Sequence, residues 1–170
     1  MRQSQTLPFP HENRQNKRIP RYSIRLVRDA ELDYNDERIN SAAKVVDLLM
    51  AIGHHERASE EFHILYLDTK NHAVGMEMVS RGTLNASLVH PREVFKGAIL
   101  ANAKSVIIAH NHPSGSTEPS SADKEVTERL IRAGKILDIP VLDHVIIGSS
   151  GGYFSFNENS LICDSQSRPG

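Results

Sequence analysis

The run Ser105-Val106-Ile107-Ile108-Ala109 leads directly into His110-Asn111-His112-Pro113-Ser114-Gly115, and this passage limits the fold more than any other. The run is apolar and partly β-branched, the composition of a buried strand. Side chains alternate along a strand, so His110 and His112 share one face, about 7 Å apart at Cα. Pro113 and Gly115 then force the chain out of the strand. Ser120 opens a helix whose first turn carries Asp123. Strand, turn and helix can thus aim two imidazoles and one carboxylate at a single point. Two neutral nitrogens and a carboxylate oxygen, with a fourth position for water, form the ligand set of a hydrolytic zinc centre. Asp123 has a second explanation: Ser three residues ahead of an acidic residue resembles a capping box, so cap and metal compete for its carboxylate.

Bulk properties narrow the classes. A chain of 170 residues is long enough for one domain with a real core. Its formal net charge of −1 gives no global basic field of the kind that marks an obligate nucleic-acid binder. Cys163 is the single cysteine, which excludes an intramolecular disulfide and a cysteine-based zinc site and fits a reducing compartment. No apolar run approaches the roughly 20 residues of a membrane span, and the N-terminus lacks the apolar core of a secretory signal. The expectation is a soluble cytoplasmic domain with no membrane partner.

Along the chain, residues 1–20 are polar and proline-containing and read as a disordered tail, made basic at its end by Arg14, Lys17, Arg18 and Arg21. A single domain is expected over residues 21–160, with a flexible tail over 161–170. Tyr22–Val27 alternates as an edge strand does. Asp36 is placed as the N-cap of a helix with Ile39, Ala42, Ala43, Val46, Leu49 and Met50 on one face, stopping at Gly53. His54 and His55 just beyond are read as exposed polar residues rather than a metal pair. Phe62–Leu67 is a strand whose hairpin partner is Val74–Val79 across the turn Asp68–Asn71. Ser80–Asn85 reads as a loop into a short strand, Ser87–Val89. A helix starts at His90-Pro91-Arg92-Glu93. The helix opened by Ser120 runs to about Ala133 with Gly134 as its stop. Pro140–Ile147 is a second buried strand, and Gly151-Gly152 turns the chain into a last hairpin strand, Tyr153–Phe156. The fold class is α/β (α+β): a mixed, mostly antiparallel central sheet flanked by helices.

His-x-His, seven residues, then Ser-x-x-Asp resembles the motif of JAB/MPN (JAMM) metalloproteases, and the chain is similar to their RadC-like branch. The resemblance extends to Asp68-Thr69-Lys70-Asn71, Gly82-Thr83-Leu84-Asn85, His90-Pro91-Arg92-Glu93-Val94-Phe95, Val141-Leu142-Asp143-His144 and Gly151-Gly152-Tyr153, in the family's order across roughly residues 35–160. It implies the JAB/MPN (cytidine-deaminase-like) architecture, Zn2+ held by His110, His112 and Asp123, and a water in the fourth position. It further implies a glutamate general base just ahead of an early strand. Aligning the apolar run favours Glu60 over its neighbour Glu61, because alternation puts only one of the two on the metal side. Ser120 would support the oxyanion as well as cap its helix. His144 is read as a core histidine, with a supporting role behind the metal as the alternative, and His63 should face away from Glu60.

The function this implies is a zinc-dependent metallopeptidase or isopeptidase acting on a peptide or isopeptide substrate. The competing class is a DNA-repair or mobile-element-associated protein that binds or processes DNA with the same metal fold, reached through the basic N-terminal tail. The near-neutral net charge argues against it. A zinc deaminase needs a cysteine pair as ligands, which a single cysteine excludes.

Overall fold

The computed structural model describes residues 20–32, 38–82 and 89–162. Helix α1 (Ala42–Ala51) leads through a single 3-10 turn (His54–Glu56) into β1 (Glu61–Leu67) and β2 (Ala73–Arg81). Helix α2 (Pro91–Leu100), β3 (Ser105–His112), α3 (Ser121–Leu137), β4 (Val141–Gly148) and β5 (Tyr153–Ser155) follow. The strands form one sheet in the order β2-β1-β3-β4-β5. Only β3 and β4 run parallel, as the α3 crossover between them requires, and the other neighbours are antiparallel. This is the mixed, mostly antiparallel sheet with three helices that the sequence predicts.

The sheet is covered on both sides, which is why β1 and β3 read as continuous apolar runs. Helix α1 buries Val45, Val46, Leu48 and Leu49 with Leu65, Leu67, Ile107, Ala109, Val145 and Ile147 on one face. On the other, α2 and α3 bury Val94, Phe95, Ala98, Val126 and Leu130 with Phe62, Ile64, Tyr66, Val106 and Ile108. Alternation therefore sends even-numbered residues of β1 and β3 toward α2 and α3, and odd-numbered ones toward α1. The β1–β2 turn is held by Asp68, whose Oδ1 accepts from the backbone N–H groups of Lys70 at 2.7 Å and His72 at 2.9 Å.

Several boundaries differ from expectation. Tyr22–Val27 is not a strand: its backbone pairs with neither edge of the sheet, and Ile24 lies over a groove with Phe95, Ile99 and Leu137. Alternation supplies a pattern, but a strand also needs a free ladder to join. Ile39 lies ahead of α1, buried, with its N–H on the Asn71 carbonyl at 2.8 Å, and Ser41 is the N-cap. Asp36 and Cys163 lie outside the described residues, as do residues 1–19 and 163–170. Ser80 and Arg81 belong to β2 rather than to a loop, because Arg81 pairs with Glu61 in register. Of the expected strand Ser87–Val89 only Val89 is described, and it is not in a strand.

Gly134 does not stop α3. The helix continues to Leu137 and ends at Asp138, which takes the left-handed conformation with φ 54°. Gly134 is glycine for space: a Cβ there would lie 2.5 Å from the Ile139 carbonyl oxygen and 3.0 Å from the Phe95 ring.

Candidate metal centre

His110 and His112 end β3 on the face toward α3, and Asp123 sits in the first turn of α3. Their donor atoms converge. His110 Nε2 is 2.9 Å from His112 Nε2 and 3.3 Å from Asp123 Oδ1, while His112 Nε2 is 3.6 Å from Asp123 Oδ2. A tetrahedral ion with ligands about 2.0 Å away has ligand–ligand edges of about 3.3 Å, and the three separations bracket that value. The Pro-Gly loop reaches this geometry by folding against the end of β4. A Cβ on Gly148 would lie 2.4 Å from the Gly115 carbonyl oxygen, so only glycine allows the approach.

Hydrogen bonds on the far side of each ring decide which nitrogens face the centre. Thr127 has one hydroxyl proton and gives it to the Asp123 carbonyl at 2.6 Å. Its contact with His144 Nδ1, also 2.6 Å, therefore has the imidazole N–H as donor. Burial, reinforced by His110, holds the His144 pKa well below the histidine range, so its Nε2 is bare. That nitrogen accepts from His110 Nδ1–H at 2.8 Å, which leaves His110 Nε2 bare in turn. His112 Nδ1–H donates to the Ser116 carbonyl at 2.7 Å, so its Nε2 faces the centre, where the Asp123 carboxylate favours a cation beside it. The lone pair of His110 Nε2 thus faces His112 Nε2 beside a carboxylate. That arrangement calls for a cation.

The chain belongs to the RadC-like JAB domain family. The family's pattern matches residues 39–161. Relatives at this level include a UPF0758 protein of Methanococcoides burtonii, 50% identical over 139 residues covering 81% of this chain and 60% of its own. Another, from Symbiobacterium thermophilum, is 55% identical over 103 residues, covering 61% of this chain and 44% of its own. A third, from Methanosarcina mazei, is 50% identical over 122 residues, covering 72% and 53%. The chain spans about half the length of the curated relatives it matches.

In this RadC-like domain the competition for Asp123 is resolved by dividing its two oxygens. Oδ2 accepts from Ser120 N–H at 2.7 Å and Ser120 O–H at 2.6 Å, and Ser120 Oγ accepts from Asp123 N–H at 3.2 Å, a complete capping box. Oδ1 remains directed at His110. Burial would raise the Asp123 pKa, but the two histidines and the Ser120 hydroxyl outweigh it and hold the carboxyl far below its usual range. Burial lowers the pKa of His110, whereas Asp123 raises that of His112 above the usual histidine value.

Glu60 and Glu61 part company. The Glu60 charge favours the protonated form of both His110 and His112 by a minor contribution, which burial outweighs at His110. Glu61 is buried on the α1 face, where its carboxylate meets Arg81 at 2.8 Å and His63 at 3.3 Å. Asn111, between the two histidines, points to that same face. Its Oδ1 accepts from Glu61 N–H at 2.8 Å, and its Nδ2 donates to the carbonyls of Arg57 and Ser59 at 3.2 and 3.1 Å. It therefore fixes the segment that carries Glu60. Sequence reading did not single out Asn111 or Thr127, although a polar residue inside a doubly covered strand is itself a signal. His54, expected to be exposed, is buried against His63 and Glu61.

Proposed function

We propose that this domain is a zinc-dependent hydrolase of amide or isopeptide bonds. The observation that carries the reading is the convergence of His110 Nε2 and His112 Nε2, 2.9 Å apart, with the Asp123 carboxylate beside them. His110, His112 and Asp123 would hold the ion, and neutral nitrogens with a carboxylate oxygen suit zinc. Bound there, zinc supplies a Lewis acid that brings the pKa of water toward neutrality and polarises a carbonyl.

The chain's own groups carry the remaining steps. Glu60 takes the proton of the attacking water and delivers it to the leaving amine. Its electrostatic reach to both histidines, against the engagement of Glu61 with Arg81 and His63, supports Glu60 in that role. Ser120 donates its hydroxyl to the oxyanion. To do so it turns its O–H away from Asp123 Oδ2 while Oγ keeps the bond from Asp123 N–H. His112 is the most solvent-accessible of the three candidate ligands, with 12% of its side chain exposed against 0% for His110 and 2% for Asp123, so substrate approaches from its side.

The test is zinc content together with cleavage of a peptide and isopeptide-linked substrate library. His110→Ala and Asp123→Asn should lose the tightly bound zinc and the activity. Glu60→Gln should keep the metal and lose about 10²- to 10⁴-fold in kcat, while Glu61→Gln keeps catalysis. Unchanged zinc content in His110→Ala, or full turnover in Glu60→Gln, would overturn the reading.

A further inference from the structure

A second group of ligand-type side chains lies on the opposite face of the sheet, and nothing in the hydrolytic reading uses it. His54, in the 3-10 turn after α1, is fully enclosed, with 0% of its side chain exposed. Neither of its ring nitrogens has a hydrogen-bond partner, and His63 Nδ1 has none either. Burial, helped by His63, pushes the His54 pKa down to about 3, so the ring is neutral and presents one lone pair and one N–H, both unsatisfied. Orphaned polar atoms in a core lose their hydration without a replacement bond and so destabilise the fold. A native core does not keep them without a reason.

What faces His54 is a ligand set. Glu61 Oε2 lies 3.8 Å from His54 Nδ1 and 3.3 Å from His63 Nε2. The His54 and His63 rings meet edge to face, with centroids 4.5 Å apart. One donor atom from each of the three residues lies within 4.8 Å of the others. Glu61 Oε1 is bonded to Arg81 at 2.8 Å, the kind of outer partner that fixes a ligating carboxylate. We propose that His54, His63 and Glu61 bind a second divalent transition-metal ion, of the zinc class, on the α1 face of the sheet.

Imidazole and carboxylate donors without thiolate select zinc-like ions over calcium or magnesium, which take oxygen. Enclosure of all three side chains makes the site structural rather than catalytic. The ion would tie the 3-10 turn to β1 on the face opposite the first centre. Arg57 and Arg81 flank Glu61 and oppose a cation, but both are more than half exposed and therefore screened. The second site is accordingly the weaker of the two.

The experiment is a zinc titration of the chelator-stripped full chain, followed by calorimetry, with folding checked by circular dichroism. The wild type should take up two equivalents, the second more weakly. His63→Gln and Glu61→Gln should each take up one, with the tight class retained. The double variant His110→Ala/His112→Ala should also keep one equivalent, and its Co2+ form should show the absorption bands of a tetrahedral site. A single equivalent in the wild type, or a folded double variant that binds none, would overturn the proposal. Its failure is distinct from failure of the hydrolase reading, which removes the tight class instead.

Discussion

Thr127 decides a proton position without touching the candidate metal. Its single hydroxyl proton goes to the Asp123 carbonyl, which obliges His144 to donate from Nδ1 and to accept from His110 at Nε2. Thr127→Val keeps the shape and removes the constraint. The His144 proton can then move to Nε2, which drives the His110 proton onto its own Nε2 and blocks the metal-facing lone pair. Expected is a loss of about 10- to 100-fold in zinc affinity, the usual effect of removing an outer partner, read by competition with a chromophoric chelator. Unchanged affinity in Thr127→Val would show that the His110 tautomer is set elsewhere. At this scale the sequence shows the three candidate ligands, because they lie close together in one strand–loop–helix passage. Thr127 and Asn111 were not legible as site residues, and His144 reads first as a core histidine with the supporting role as the alternative. Their partners lie across strands, 17, 34 and 50 residues away for the bonds that matter.

Helix α3 shows what local pattern reads well and what it misses at the scale of an element. Its start was legible, since Ser120 and Asp123 form a complete capping box. Its end was not, because Gly134 looks like a terminator yet sits inside the helix beneath the Ile139 carbonyl and the Phe95 ring. Gly134→Ala sets two effects against each other. Alanine gains about 1 kcal/mol in helix propensity. Its Cβ would meet a backbone oxygen at 2.5 Å, and that atom cannot rotate away as a side chain can. Overpacking of this kind costs about 1–3 kcal/mol, so the substitution should be net destabilising, as a lower urea midpoint with an unchanged m-value. A stabilised Gly134→Ala would mean that the Ile139 turn shifts freely. Tyr22–Val27 fails in the complementary way: its alternation is real, but no edge of the sheet accepts it.

Among the described residues a ligand-type cluster lies on each face of a sheet packed mainly with apolar side chains, and this couples stability to pH. In the metal-free protein, burial pushes the pKa of His54, His63, His110 and His144 below the ordinary histidine value of 6.5. The unfolded chain protonates these groups first, so stability falls as pH drops below about 6.5. His112 has the opposite sign: its raised pKa favours the folded state below 6.5 and loses that contribution as pH rises. The depressed carboxyls of Asp123 and Glu61 remove further stability once pH falls through the ordinary carboxylate range. Asp143, raised by burial, opposes them only there. With four histidines against one, urea unfolding in chelator should show a net decline in stability as pH falls below about 6.5. Each proton taken up only by the unfolded chain adds about 1.4 kcal/mol per pH unit to that slope. Saturating zinc should steepen the decline, because a metal-bound His112 can no longer take its compensating proton. A curve flat from pH 7.5 to 5 would mean that these buried histidines are protonated in the fold, and the lone pairs assigned to both clusters would go with them.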